Sequence, residues 1–260
     1  MTALDPVLTE LVDGVLTVTL NAPHLRNSMA APGLKAGLHG AVERFAGDDD
    51  ARVLVITGAG GAFSAGGDLR QLRELDPGAL RQRLAKGAGL FRTIVQGEKP
   101  VIAAVEGPAF GAGLGLATAC DTVVAARTAR FCAAFVRVGA MPDAALFWSL
   151  PWRVGPAKAR DLMLYADELD GETAVRIGLA DRLAEPGHAL PEAQRLARRL
   201  ADGPSVALRR IKTTIRHAPM TFDQAAAAEL DNAPQVFATA DFREGAQAFL
   251  DKRKPRFSGK

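Results

Sequence analysis

Two glycine-rich turns and one aspartate hold the residue types that could do chemistry in this chain. The run Gly107-Pro108-Ala109-Phe110-Gly111-Ala112-Gly113 follows an apolar stretch at 101–105 and opens a compact segment at 114–119. This reads as strand, tight turn and helix, with the helix starting near Ala112. The first amides of a helix lack internal acceptors and carry the positive end of its dipole, so the turn can stabilise an anion, a phosphate or a developing oxyanion. A second glycine-permitted turn before a helix, Phe63-Ser64-Ala65-Gly66-Gly67-Asp68-Leu69, follows the strand-like run at 53–57. Two backbone donors converging on one carbonyl oxygen make an oxyanion hole, and each contributes roughly 3 kcal/mol or more in a dry site. Two ordinary strand-to-helix connections would look the same in sequence.

The aspartate is Asp143, in Gly139-Ala140-Met141-Pro142-Asp143, just before a helical run at 144–150. An Asp there would serve equally as a helix N-cap. The apolar neighbours Phe135, Val136, Val138 and Met141 predict a drier setting, in which the carboxyl pKa rises toward the range useful for proton transfer.

Other chemistries fit less well. Residues 58–63 miss the dinucleotide-binding glycine pattern because Phe63 stands at its last position, and no Gly-Lys-Ser/Thr follows to cradle phosphates. Ser64 lacks the glycine two residues earlier that a nucleophile elbow needs, since Ala62 is there. His24, His39, His188 and His217 lie outside these motifs and read as surface or structural residues.

The elements that must position these groups follow a strand-rich pattern. Residues 8–11 and 15–20 flank Asp13-Gly14 as a hairpin, and Leu34, Leu38, Val42 and Phe45 fall at helical spacing within 30–45. The runs 53–57 and 101–105 each end in a glycine turn that opens a helix, so they are expected to be parallel neighbours with their turns at one sheet edge. Residues 122–126 read as a further strand, and strands end near 184. Helices are expected at 156–165, 172–177, 191–202, 205–216, 221–239 and 241–252. The chain thus divides into a strand-rich core over 1–200 and a helical region over 201–260.

With 260 residues, 48% of them hydrophobic, the chain can bury a large core. Its first ten residues, with Asp5 and Glu10, lack a basic segment followed by an apolar run, and no stretch reaches the ~20 apolar residues of a membrane span. Two cysteines, Cys120 and Cys132, make neither a disulfide framework nor a zinc cluster and read as buried apolar residues in a reducing cytoplasm. The net charge of +3 is localised: Lys252, Arg253, Lys254, Arg256 and Lys260 lie in the last nine residues, and without them bases are fewer than the 29 acids. This excludes a broad nucleic-acid stripe. The basic end is either a solvated tail or a binding patch.

The landmarks at 15–23, 53–69, 100–121, 139–155 and 174–179, together with the ending Phe249-Leu-Asp-Lys-Arg-Lys-Pro-Arg-Phe-Ser-Gly259, resemble the enoyl-CoA hydratase/isomerase (crotonase) superfamily along essentially the whole chain. The resemblance implies an α/β fold: a spiral of ββα units with a C-terminal helical region that packs subunits into trimers, commonly paired as hexamers. It implies an acyl-CoA thioester substrate, no separate cofactor and no metal. By position, the oxyanion hole would be the Gly67 and Ala112 amides. Ala65, Asp68, Leu69 and Phe135 would adjoin the substrate, and the stretch 69–90 would supply part of the pocket wall. Arg26, Lys252, Arg256, Phe257 and Phe242 are candidates to meet the CoA moiety, although Arg26 stands one place beyond the usual basic position, which holds Leu25. Phe91, Phe147, Trp148 and Trp152 are either core residues or an apolar lining.

The positions of the two glutamates in the hydratase branch hold Gly115 and Phe135, which argues against hydration by that route. A third position, used by isomerase branches, holds Asp143. The run from Phe131-Cys-Ala-Ala-Phe135 to Leu150-Pro151 looks like the phenylacetate-pathway enoyl-CoA isomerases. The leading expectation is therefore a 3-enoyl to 2-enoyl shift with Asp143 as proton shuttle. Weak hydratase activity and a non-catalytic acyl-CoA binder remain open. An aryl-CoA dehalogenase reading ranks lower, because Ala88 occupies the position of that branch's histidine.

Overall fold

The computed structural model describes residues 5–67, 73 and 75–260. A hairpin starts the fold: β1 (Val7–Val12) pairs antiparallel with β2 (Val15–Leu20). Asp13 and Gly14 have φ of 49° and 75°, the two positive values that a type I′ turn requires. β3 (Val53–Gly58), β4 (Val101–Val105), β6 (Thr122–Ala126) and β9 (Arg182–Ala184) extend the sheet in parallel, in the order β1-β2-β3-β4-β6-β9. A smaller sheet joins β5 (Pro108–Phe110), β7 (Arg130–Cys132) and β8 (Leu169–Asp170). β4–β5 and β6–β7 each give one strand to either sheet before a helix, α3 (Ala112–Ala119) or α4 (Leu146–Tyr165). This repeated ββα step is the expected spiral.

The large sheet is buried on both faces, as continuous apolar strands require. Leu54 and Ile56 of β3 face a core shared with Leu34, Leu38 and Val42 of α1 (Leu34–Gly47) and with Leu90 and Ile94 of α2 (Pro77–Gln96). Val53 and Val55 face the opposite way. They pack on Ala189, Ala193, Ala197 and Ala201, a small-residue stripe at four-residue spacing along α6 (Ala189–Ala201). The short α5 (Gly171–Arg176) lies between β8 and β9.

Two boundaries differ from expectation. α1 begins at Leu34, not near residue 30, because Gly33 (φ 74°) caps it and the preceding residues are tied elsewhere. The helices expected at 144–150 and 156–165 follow one another as α4, with the break at Gly155 (φ 77°, ψ 158°) just before Pro156. Beyond α6 come α7 (Ser205–Ile215), α8 (Phe222–Phe237) and α9 (Ala240–Leu250). α7 is pinned to the core by Lys212, a buried lysine whose Nζ donates to the carbonyls of Ile94 (2.9 Å) and Lys99 (2.8 Å) and to Asp121 Oδ2 (2.7 Å).

The basic end is not a loose tail. Buried Asp241 accepts from the amides of Ser258 (2.7 Å) and Gly259 (2.9 Å), and its own N–H donates to the Lys260 carbonyl (3.0 Å). Hydrogen bonds from the Arg253 side chain and the Arg256 amide hold Glu244 down to about 2. No helix among the described residues is long and apolar enough to cross a membrane, and no group of His, Cys, Asp and Glu among them could hold a metal. Cys120 and Cys132 are both free and buried, and burial pushes the Cys120 thiol up to about 12.

Candidate active site

The two glycine turns meet at the edge of the small sheet. Ser64 bridges to Ala109 of β5 in parallel fashion, through Ser64 N to the Pro108 carbonyl and Phe110 N to the Ser64 carbonyl, each 2.9 Å. Gly66 (φ 86°) lies so close to the second turn that a Cβ there would stand 2.5 Å from the Phe110 carbonyl oxygen and 3.2 Å from Ala112 N. Only glycine fits that approach.

The first turn is aimed by its hydrogen bonds. The Gly66 carbonyl accepts from Met29 N (2.8 Å) and Ser28 Oγ (2.9 Å). A trans peptide sets its N–H opposite its C=O, so the N–H of Gly67 points away from Met29 and Ser28. Ser64 Oγ donates to the Asn27 carbonyl (2.8 Å) and accepts from Gly66 N (3.2 Å). Asn27, fully buried, donates to the carbonyls of Ala59 (2.9 Å) and Ala62 (2.6 Å) and accepts from Ala22 N. Asn27 and Ser64 therefore support the turn through buried hydrogen bonds. In the second turn the Gly111 carbonyl accepts from Gly115 N (3.0 Å), which leaves the Ala112 N–H projecting from the start of α3 without an intrahelical acceptor.

Asp143 lies in the turn that leads into α4. Ala144 and Ala145 both adopt left-handed φ, 54° and 60°. Two consecutive non-glycine residues in that region cost about 1–3 kcal/mol each, strain of the kind that concentrates at functional sites. The turn closes from Leu146 N to the Asp143 carbonyl (3.0 Å), and its helix is fastened to α3 by a 2.7 Å hydrogen bond between Thr118 Oγ1 and Ser149 Oγ. Arg153 donates to the carbonyls of Thr118 (3.0 Å) and Cys120 (2.6 Å), satisfying acceptors at the negative end of α3. α3 thus presents its positive end to the site while its other end holds the helix that carries Asp143.

The N-cap reading of Asp143 does not hold. Ala145 occupies the cap position of α4, with no side chain bonded to the first turn. The Asp143 side chain instead faces a cavity of ≈ 380 Å³ with Ala112, Lys35, Met29, Leu84, Leu90, Phe91, Val95 and Trp148 on its walls, and its buried Oδ1 has no hydrogen-bond partner among the described residues. Burial pushes the carboxyl above the usual carboxylate range, with Lys35 and then Arg83 pulling partly the other way. The direction matches the sequence argument, but the cause differs. Val136, Val138 and Met141 are exposed, Met141 at 72%, so the dry walls come from α2 and α4.

The sequence model of the enoyl-CoA hydratase/isomerase family matches residues 10–260. The chain belongs to the enoyl-CoA hydratase/isomerase, or crotonase, family. It is 38% identical over 260 residues to the 1,2-epoxyphenylacetyl-CoA isomerase of Escherichia coli strain K12, covering 98% of each chain. It is 35% identical over 260 residues to the crotonyl-CoA hydratase of Syntrophomonas wolfei, covering 99% of this chain and 100% of the other. A crystal structure of enoyl-CoA hydratase/isomerase from Cupriavidus metallidurans CH34 superposes with a TM-score of 0.90 at 33% identity, covering 100% of this chain and 98% of the other. As a member of this family, the protein is an enzyme acting on CoA thioesters.

In this member of the family, Gly67, Ala112 and Asp143 come from turns that gather at one end of α3. Ala65 and Arg26 lie beside the first turn, joined by Ala65 N to the Arg26 carbonyl (2.9 Å). Phe135 is half-buried against the core, its ring tip 3.8 Å from where a Gly111 Cβ would stand, and it is not among the cavity-wall residues. Asp68 and Leu69 lie outside the described residues. Phe242, Lys252, Arg256 and Phe257 do not line the cavity. Phe242 stacks on Phe237 (4.5 Å between centroids), and Phe257 lies against Gly245 of α9. Ala88 lines the cavity and offers no acid or base. Among the aromatics, Phe91 and Trp148 line it, whereas Phe147 is 56% exposed. Sequence reasoning missed Lys35. A lone lysine on an amphipathic helix carries no local sign that it faces a carboxylate on another element.

Proposed function

We propose that this protein is an enoyl-CoA isomerase that moves a double bond from the 3- to the 2-position of an acyl thioester, with Asp143 as sole proton shuttle. The observation that carries the reading is the buried Oδ1 of Asp143, without a hydrogen-bond partner among the described residues, on the same cavity as Ala112. In the mechanism, the Gly67 and Ala112 amides hold the thioester oxygen. Ionised Asp143 removes a proton from C2, and the electron pair forms a dienolate whose negative oxygen is stabilised in the hole. The protonated carboxyl then delivers the same proton to C4, the double bond settles between C2 and C3, and no atom is gained or lost.

A raised carboxyl pKa serves both halves of this cycle, because the base is strong enough to take the proton and the acid strong enough to return it. Hydration would need a second group to activate water, and the positions that would supply it hold Gly115 and Phe135. The similarity to 1,2-epoxyphenylacetyl-CoA isomerase favours a cyclic or aryl-derived acyl group, for which Phe91 and Trp148 would form apolar walls. Phe242, Lys252, Arg256 and Phe257 would reach the CoA moiety from a neighbouring subunit in a trimer or a hexamer. Exposed Phe222, Leu230, Phe249 and Leu250 on the C-terminal helices suit such packing.

The test compares 3-enoyl-CoA with 2-enoyl-CoA and follows deuterium uptake from solvent in each. Conversion of the 3-enoyl thioester without water addition is the expected result. Hydration of the 2-enoyl thioester at a comparable rate would overturn the isomerase reading, and tight binding without reaction would mark a carrier.

A further inference from the structure

We propose that the buried hydroxyl pair of Thr118 and Ser149 positions Asp143, by fixing the rotation of α4 against α3 and so the placing of the carboxylate relative to the Ala112 N–H. The inference rests on the reading of Asp143 as the base of the double-bond shift and adds two residues that act through it. Thr118 is 3% exposed and Ser149 1%, and their side-chain oxygens lie 2.7 Å apart. Thr118 Oγ1 also lies 2.9 Å from the Leu114 carbonyl, which can only accept. A hydroxyl has one hydrogen, so giving that of Thr118 to Leu114 makes Ser149 the donor to Thr118 and leaves both hydrogens bonded. The pair is thus directional in both members.

α3 meets the Asp143 segment at two levels. Gly115 has no side chain to keep the Ala144 carbonyl away, and about one turn further along Thr118 engages Ser149. The first contact sets how near the segment comes, and the second sets how far α4 is turned about its axis. Arg153, four residues beyond Ser149 and so on the same face, donates from Nε to the Thr118 carbonyl (3.0 Å). A long arginine side chain tolerates rotation of its helix, whereas two short hydroxyls in hydrogen-bond contact do not. α4 needs this tie because its backbone is weak on either side of Ser149. Before it lie the left-handed Ala144 and Ala145, and after it come Pro151, which has no amide donor, and the break at Gly155. Strained backbone keeps its shape only while its surroundings over-determine it. α3 has eight residues and is about 12 Å long, so the amide for the thioester oxygen and the hydroxyl that fixes the base share one short rod.

The test uses Thr118→Val, Ser149→Ala, the two combined, and Thr118→Ser, all in the full chain. Turnover of the 3-enoyl thioester is measured beside exchange of the C2 hydrogens of phenylacetyl-CoA in deuterium oxide, followed by NMR. The exchange needs the base and the oxyanion hole but no double-bond shift, so it reports the placing of Asp143 directly. Each single variant leaves one buried hydroxyl without its partner, while the double variant faces two apolar groups of similar shape and should regain the parental Tm. The expected result is an about tenfold fall in kcat and in exchange in both single variants and equally in the double variant, with KM within about twofold. Thr118→Ser keeps the hydroxyl and should keep both rates within about threefold of the parent. Parental rates in the double variant would show a role in stability alone and overturn the proposal. Thr118→Ser as slow as Thr118→Val would assign the effect to packing and overturn it too. Asp143→Asn matching the parent in both assays, whether active or silent, would defeat the reading of Asp143 and the proposal with it.

Discussion

A Cβ added to Gly115 would stand 2.3 Å from the Ala144 carbonyl oxygen and 2.8 Å from the Ala144 Cβ. The position that holds a glutamate in the hydratase branch is thus filled, in this chain, by the turn that carries Asp143. The two features are one arrangement, since the turn can lie where it does only while residue 115 has no side chain. Gly115→Ala is expected to displace Asp143 by a fraction of an ångström to an ångström. Misplacement on that scale costs up to about 10²-fold in turnover. Binding of a saturated acyl-CoA should change little, so kcat and Kd measured together check the claim. Gly115→Glu should fail to create a hydratase, and efficient hydration by that variant would show that the turn yields easily.

Asp143→Asn separates chemistry from stability. Isomerisation should fall by about 10²–10⁴-fold, the usual contribution of a positioned acid-base group. In the folded protein the carboxyl pKa lies above its unfolded value because of burial. Its contribution to stability is therefore fully present below the unfolded pKa of about 3.9 and is lost as pH rises through the folded pKa. The ionised, desolvated carboxylate weakens the fold at neutral pH, so the Asn variant should melt higher than the parent there. The gap should close on acidification to about pH 4. Melting curves across that range test the sign.

Lys35 faces Asp143 with a positive charge that favours the ionised carboxyl. Lys35→Met should accordingly move the acidic inflection of the kcat/KM profile to higher pH, with activity still rising as Asp143 ionises. An unmoved inflection would mean that Lys35 does not act on the carboxyl through its charge.

Much of this site was legible in local sequence, and the part that was not is long-range. The strands at 53–57 and 101–105 announce themselves because β-branched apolar runs between glycine and proline have few other conformations. Their parallel pairing follows from the turns that end them. Asp143 stands out because a carboxylate among apolar neighbours is costly. The neighbours that dry it are nevertheless Leu90, Phe91 and Trp148, brought from other turns of the chain, while Val138 and Met141 face outward. The steric demand on Gly115 comes from Ala144, and that of Gly66 from Phe110. A glycine read in isolation signals freedom of the backbone and does not name the group that approaches it.

Asn27 joins three chain segments through buried bonds to Ala22, Ala59 and Ala62. Asn27→Ala leaves those backbone groups without partners, at about 1–3 kcal/mol for each that stays dry. The residue also has φ of 53°, which asparagine tolerates better than alanine. Urea denaturation should show a loss of about 3 kcal/mol or more with an unchanged slope. The Gly67 amide should lose its fixed direction at the same time, so acyl-CoA turnover should fall even where the variant remains folded.

Lys212 tests how the C-terminal helices are fastened. Its ammonium joins α7 to the carbonyls of Ile94 and Lys99 and to the Asp121 carboxylate, which itself caps Val101 N at 2.7 Å. Lys212→Met keeps the apolar stem but leaves two buried carbonyls without this donor and the Asp121 carboxylate without its ion-pair partner. Removing one partner of a buried pair costs about 3–5 kcal/mol, reduced here because Asp121 is 36% exposed. The loss falls at the junction between α7 and the end of α2, so hydrogen exchange should quicken first in 205–215 while the β3–β4 ladder stays protected. If exchange rose uniformly across the sheet, the lysine would be supporting the whole core and not the attachment of α7.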